Sequence, residues 1–107
     1  MKLESVERPI TIGSANIDLG DALRTHAEES IRKAAGKYFG RLTDATAHFN
    51  KEGVTFRCSV NMKMGGLPTA SAEAQAPDAR LAFDQALGKV EKQLRRLKRE
   101  LREDRGG

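Results

Sequence analysis

A chain of 107 residues, 38% hydrophobic and 32% charged, is long enough for one hydrophobic core and too short for two. No apolar run approaches the roughly 20 residues of a membrane-spanning helix, and the opening MKLESVERPI lacks the apolar segment of a secretory signal. The net charge of +4 is local: residues 88–102 hold seven basic and two acidic side chains, so the remainder is slightly acidic.

The first predicted element is a strand over RPITIGS (8–14), where Ile10 and Ile12 alternate with polar neighbours. A helix follows from Gly20 to Phe39, with Leu23, Ala27, Ile31, Ala34 and Tyr38 at helical spacing. Gly20 is placed at the N-cap, Asp21 puts negative charge at the positive end of the helix dipole, and Gly40 is the expected stop.

Three strands come next. Ala45, Ala47 and Phe49 alternate with Thr46, His48 and Asn50. After a turn at NKEG, the row Val54, Phe56, Cys58, Val60 and Met62 alternates with polar residues, the clearest period of two in the chain. A Gly65-Gly66 turn leads to Ala70, Ala72, Ala74 and Ala76, a row small enough for a helix to approach closely. Such a sheet has one apolar and one polar face and needs cover on one side only. Pro77-Asp78 opens a second helix, predicted to reach about Glu103, whose Phe83, Leu87, Val90, Leu94, Leu97 and Leu101 form a single stripe. The expected fold is α+β, ordered β-α-β-β-β-α, with both helices on one face of a four-stranded sheet. The whole chain, 1–107, is read as one domain with an ordered core of about 8–103.

The last helix raises a question of charge. At about 100° per residue, Lys92, Arg95, Arg96, Arg99 and Arg102 lie opposite the leucine stripe, with Lys89 and Lys98 on its flanks. An ordinary solvated face interleaves signs so that neighbours at i+4 attract. Here Lys92–Arg96, Arg95–Arg99 and Lys98–Arg102 are like-charge pairs, each costing roughly 0.2–0.5 kcal/mol in an isolated helix. Within 88–102, only Glu91–Arg95 and Arg96–Glu100 are spaced to offset them. A polyanionic partner removes such repulsion, and nucleic acid is the first candidate. Arginine outnumbers lysine, which suits bidentate phosphate contacts. Arg24, Arg32, Lys33 and Lys37 on the first helix are diluted by Glu28 and Glu29; if the helices lie side by side, Lys33 and Lys37 extend the patch. Five aromatics, mostly at core positions, favour phosphate and shape recognition over base stacking.

Little else carries chemistry. His26 and His48 sit on different elements with no metal-ligand spacing, and no cofactor, metal or small-molecule substrate is expected. Cys58 falls on an apolar strand face and reads as a buried structural thiol, and a single cysteine fits a reducing cytoplasm. The chain is not expected to be an enzyme.

The stretches ITIGSANIDLGDALRTH, KYFGRLTDATAHF and LAFDQALGKVEKQLRRLKRELR, in this order, resemble the ribosome hibernation-promoting factor family, also called ribosome-associated inhibitor or sigma-54 modulation proteins. The most specific piece is D-x-x-x-A-F-D (Asp78 to Asp84) followed by K-x-x-K-Q-L-x-R (Lys89 to Arg96). Arg80 stands where many relatives have an aromatic residue, and Ser30 where a basic one is common. The resemblance implies a domain similar to a double-stranded-RNA-binding domain. It also implies binding to the small ribosomal subunit, contact with 16S rRNA and inhibition by occlusion of the mRNA and tRNA channel. The family's basic positions fall on Lys89, Lys92, Arg96 and Arg99, with Gln93 between them, and on Arg24, Lys33 and Lys37 of the first helix. Long members carry a C-terminal domain that pairs ribosomes. The resemblance therefore makes this chain a short form or an N-terminal domain, with ribosome dimers expected only if the full-length protein has that second domain. Two other readings remain: a general double-stranded-RNA-binding protein, and a protein-interaction module whose leucine stripe contacts a partner such as a sigma factor.

Overall fold

A computed structural model describes residues 10–15, 17–38 and 42–106, with side chains as far as Glu100. The elements are β1 (Ile10–Ala15), α1 (Gly20–Tyr38), β2 (Leu42–Glu52), β3 (Thr55–Met64), β4 (Ala70–Ala76) and α2 (Ala79–Gly106). The expected β-α-β-β-β-α order is therefore present. The strands lie in the order β1-β2-β3-β4, so β1 and β4 are the sheet's edges. β1 runs parallel to β2, which the crossover through α1 allows, while β2, β3 and β4 form antiparallel pairs.

The period of two produces the two faces. Ala45, Ala47 and Phe49 on β2, Cys58, Val60, Met62 and Met64 on β3, and Ala70, Ala74 and Ala76 on β4 are buried under the helices. Ala72 is only half-buried. On the other face, Asn61 donates to Thr46 Oγ1 (3.1 Å), Ser71 donates to Asn61 Oδ1 (2.7 Å) and Gln75 donates to Thr55 Oγ1 (2.9 Å), a polar ladder across three strands. α2 packs over β3 and β4, and α1 lies toward β1 and β2. Phe83 of α2 joins the layers: it stacks on Phe49 (centroids 6.1 Å apart, planes at 24°) and meets the His26 ring edge-on at 5.6 Å.

Local chemistry sets the helix starts. Gly20 has φ of 80°, a conformation glycine adopts without strain, and stands at the beginning of α1 as expected. At α2 the Asp78 carboxylate accepts the Leu81 N–H at 3.1 Å, capping a donor that the first turn leaves unpaired. The hydrophobic stripe of α2 is buried at Phe83, Leu87, Val90 and Leu94 and half-buried at Leu97. Ala82 and Ala86, which the leucine spacing does not single out, are fully buried and widen it.

The structure departs from expectation in several places. Val54, expected in the apolar row of β3, sits in the β2–β3 turn and is 87% exposed, because the strand begins at Thr55. α2 continues to Gly106, past the expected end at Glu103. Residues 8 and 9 of the first predicted strand, and the proposed stop at Gly40, lie outside the described residues, as do the side chains of Leu101 and Arg102.

Candidate nucleic-acid interface

Burying Val90 and Leu94 against the sheet turns the opposite side of α2 outward. Lys92, Arg95, Arg96 and Arg99 are exposed there and line one shallow concavity on successive turns. Among the described residues, Lys92, Arg96 and Arg99 have no ion-pair partner. Neither expected offset forms: Arg96 and Glu100 make no ion pair, and Glu91 turns away from Arg95 toward α1. Glu91 Oε1 accepts from Lys37 Nζ at 3.4 Å and from the Tyr38 hydroxyl at 3.3 Å, while Arg95 donates to the Tyr38 oxygen at 3.4 Å. The acid that could have neutralised the stripe is spent on holding the helices together. Positive charge remains concentrated on one exposed surface.

The two helices do lie side by side, so Lys33 and Lys37 face α2. They line a groove of about 230 Å³ together with Ser30, Asp84, Gly88 and Glu91. Lys37 is paired with Glu91, whereas Lys33 is exposed and has no ion-pair partner among the described residues. Of the α1 cations, Lys33 is thus the one best placed to continue the stripe.

Three other sequence-predicted site residues point elsewhere. Lys89 Nζ donates to the Glu73 carbonyl at 3.1 Å. The Gln93 amide makes two bonds to one residue, accepting the Ser71 N–H at 3.0 Å and donating to the Ser71 carbonyl at 2.7 Å. Arg24 donates to the Ile12 carbonyl of β1 at 3.0 Å. Arg102 lies on α2, but its side chain is outside the described residues.

The remaining chemistry-bearing residues are dispersed. Among the described residues, no group of three or more His, Cys, Asp or Glu is placed to hold a metal ion, and no helix is long and apolar enough to cross a membrane. His26 Nε2 and Asp84 Oδ1 are 2.8 Å apart, linking α1 to α2; at a sequence separation of 58, no local spacing announces the pair. His48 is exposed on the polar face, opposite Gly13 and Ser59. Cys58 is fully buried, and loss of hydration pushes its thiol up from 9.0 to about 12. The native protein should therefore resist thiol alkylation at pH 8 and react only when unfolded. Since the thiol ionises more readily unfolded, its contribution to stability is complete below pH 9.0 and is lost as pH rises toward about 12. Alkylation followed by mass spectrometry, with and without denaturant, checks this; rapid labelling of the folded chain contradicts it.

Comparison with known proteins identifies the family and the fold. Residues 10–102 match the family described as Sigma 54 modulation protein / S30EA ribosomal protein. The chain is 30% identical over 100 residues to a ribosome hibernation promotion factor of Rhizobium meliloti, covering 92% of this chain and 52% of that protein. It is also 30% identical over 94 residues to the protein of that name from Bradyrhizobium diazoefficiens, covering 88% and 46%. The chain spans about half the length of these curated relatives. Among solved structures, the Thermus thermophilus Protein Y N-terminal domain superposes with a TM-score of 0.72 at 22% identity, over 81% of this chain and 94% of that one. A ribosomal subunit interface protein from Coxiella burnetii gives 0.70 at 23% identity, over 83% and 96%. At these identities the structural likeness establishes the fold, while the match over residues 10–102 establishes descent. The chain belongs to the Sigma 54 modulation protein / S30EA ribosomal protein family.

Proposed function

We propose that this chain is a ribosome-binding domain that occupies the small subunit, contacts 16S rRNA through the outward face of α2, and blocks translation by filling the mRNA and tRNA channel. It acts by occlusion and not by catalysis, and 1–107 forms a single ribosome-binding unit. The observation that carries this reading is the exposed run Lys92, Arg95, Arg96 and Arg99, none of which has an ion-pair partner among the described residues. A fold that leaves like charges adjacent accepts repulsion that a phosphate backbone relieves. The names of the relatives supply the second support: hibernation promotion factors and a subunit interface protein are what the chain is similar to. Pairing of ribosomes would require a further domain in the full-length protein.

The reading in which the leucine stripe is a free protein-docking face loses ground, because Phe83, Leu87, Val90 and Leu94 are covered by the sheet. Co-sedimentation with purified small subunits, against isolated duplex RNA as competitor, tests the proposal. Preference for subunits at equal phosphate concentration is the expected result. Equal affinity for plain duplex RNA would make the chain a general double-stranded-RNA binder.

A further inference from the structure

An open four-stranded sheet leaves two rows of backbone donors and acceptors unpaired, and such edges invite strand addition from other chains. In this fold both edges are met by side chains from the helices. In an antiparallel pair, alternate residues turn their N–H and C=O groups toward the neighbouring strand or away from it. Ser71 and Glu73 are two apart on β4, so their backbone groups point the same way, and both are bonded to α2 instead of β3. Gln93 offers Ser71 one acceptor and one donor, the pair a fifth strand would present. One turn earlier, Lys89 takes the Glu73 carbonyl. On the far side of the sheet, Arg24 of α1 takes the Ile12 carbonyl of edge strand β1.

These contacts divide the basic surface in two. Lys92, Arg95, Arg96 and Arg99 make no hydrogen bond to the sheet backbone, Arg95 donating instead to the Tyr38 oxygen, whereas Arg24, Lys89 and Gln93 are hydrogen-bonded to it. The bonds also fix the roll of each helix. If α2 rotates, Gln93 leaves Ser71 and the arginine stripe turns with it. We propose that Arg24, Lys89 and Gln93 are positioning residues that close the edges of the sheet and set the roll of the helices, and that they do not bind phosphate. The half of this statement that concerns phosphate rests on the proposed contact between α2 and RNA; the half that concerns the edges does not.

Two measurements on the full chain test it separately. Amide hydrogen exchange by NMR reads the clasp. Gln93→Ala should speed exchange at Ser71 at least tenfold while Ala70 and Ala72, whose amides face β3, stay as in the wild type. Unchanged exchange at Ser71 in Gln93→Ala overturns the clasp. The salt dependence of binding to purified small subunits, at fixed magnesium, reads the phosphate contacts. Lys92→Met should make the log–log slope shallower by about 0.7–0.9, the loss expected for one neutralised phosphate. Lys89→Met and Arg24→Met should leave the slope as in the wild type. A loss at Lys89 equal to that at Lys92 overturns the division of the surface. If Lys92→Met also leaves the slope unchanged, the proposed RNA contact of α2 fails, while exchange at Ser71 still decides the clasp.

Discussion

A chain carrying Lys92→Glu together with Arg96→Glu should stay folded and lose its association with small ribosomal subunits. Both side chains are exposed on the outward face of α2 and make no ion pair among the described residues, so the fold does not depend on their charge. A charge-assisted hydrogen bond contributes roughly 1.5–3 kcal/mol. Losing two of them weakens binding about 100-fold or more, and the reversed charges add repulsion from the phosphates. Co-sedimentation at fixed salt, with circular dichroism as the control for folding, checks the outcome. A folded variant that co-sediments as the wild type does would remove the stripe from the interface.

Leu94→Ala should do the opposite, lowering stability while leaving the outward surface unaltered. Leu94 is fully buried and stands between the exposed Lys92 and Arg96 on the inward side of the same helix. Its truncation removes buried methyl groups and leaves a cavity, which costs roughly 2–5 kcal/mol. For a domain of this size that lowers the melting temperature by about 10 °C or more. Thermal or urea unfolding measures it. A change below about 0.5 kcal/mol, the usual range for surface substitutions, would mean that the stripe is not core.

What could be read from the sequence follows from the range of each signal. Period-two alternation in 45–50, 54–62 and 70–76 and the leucine spacing of α2 are local patterns imposed by the pleat and the helical turn, and they place the elements correctly. Val54 failed because alternation does not show where a turn ends and a strand begins. Ala82 and Ala86 escaped notice because small side chains give a weak hydrophobic signal, although α2 needs them to lie close to the sheet. The site was legible in part. The outward direction of Lys92, Arg95, Arg96 and Arg99 follows from helix geometry alone. The fates of Glu91, Lys89 and Gln93 do not, since their partners Lys37, Glu73 and Ser71 are 54, 16 and 22 residues away. Local i+4 spacing assigns Glu91 to Arg95, and only the packing of α1 beside α2 redirects it.

Occlusion of the small subunit by a phosphate-binding helix face is tested most directly by one titration. Binding of the full chain to purified small subunits is measured across a salt series, with and without prebound messenger and initiator tRNA. Four phosphate contacts, at Lys92, Arg95, Arg96 and Arg99, predict a log–log slope of roughly −3 to −4, made shallower where magnesium and ribosomal proteins already screen the RNA. Prebound messenger and tRNA should compete, raising the apparent Kd in inverse proportion to the fraction of subunits they leave empty. A slope near zero, or undiminished binding in the presence of both ligands, would contradict the account.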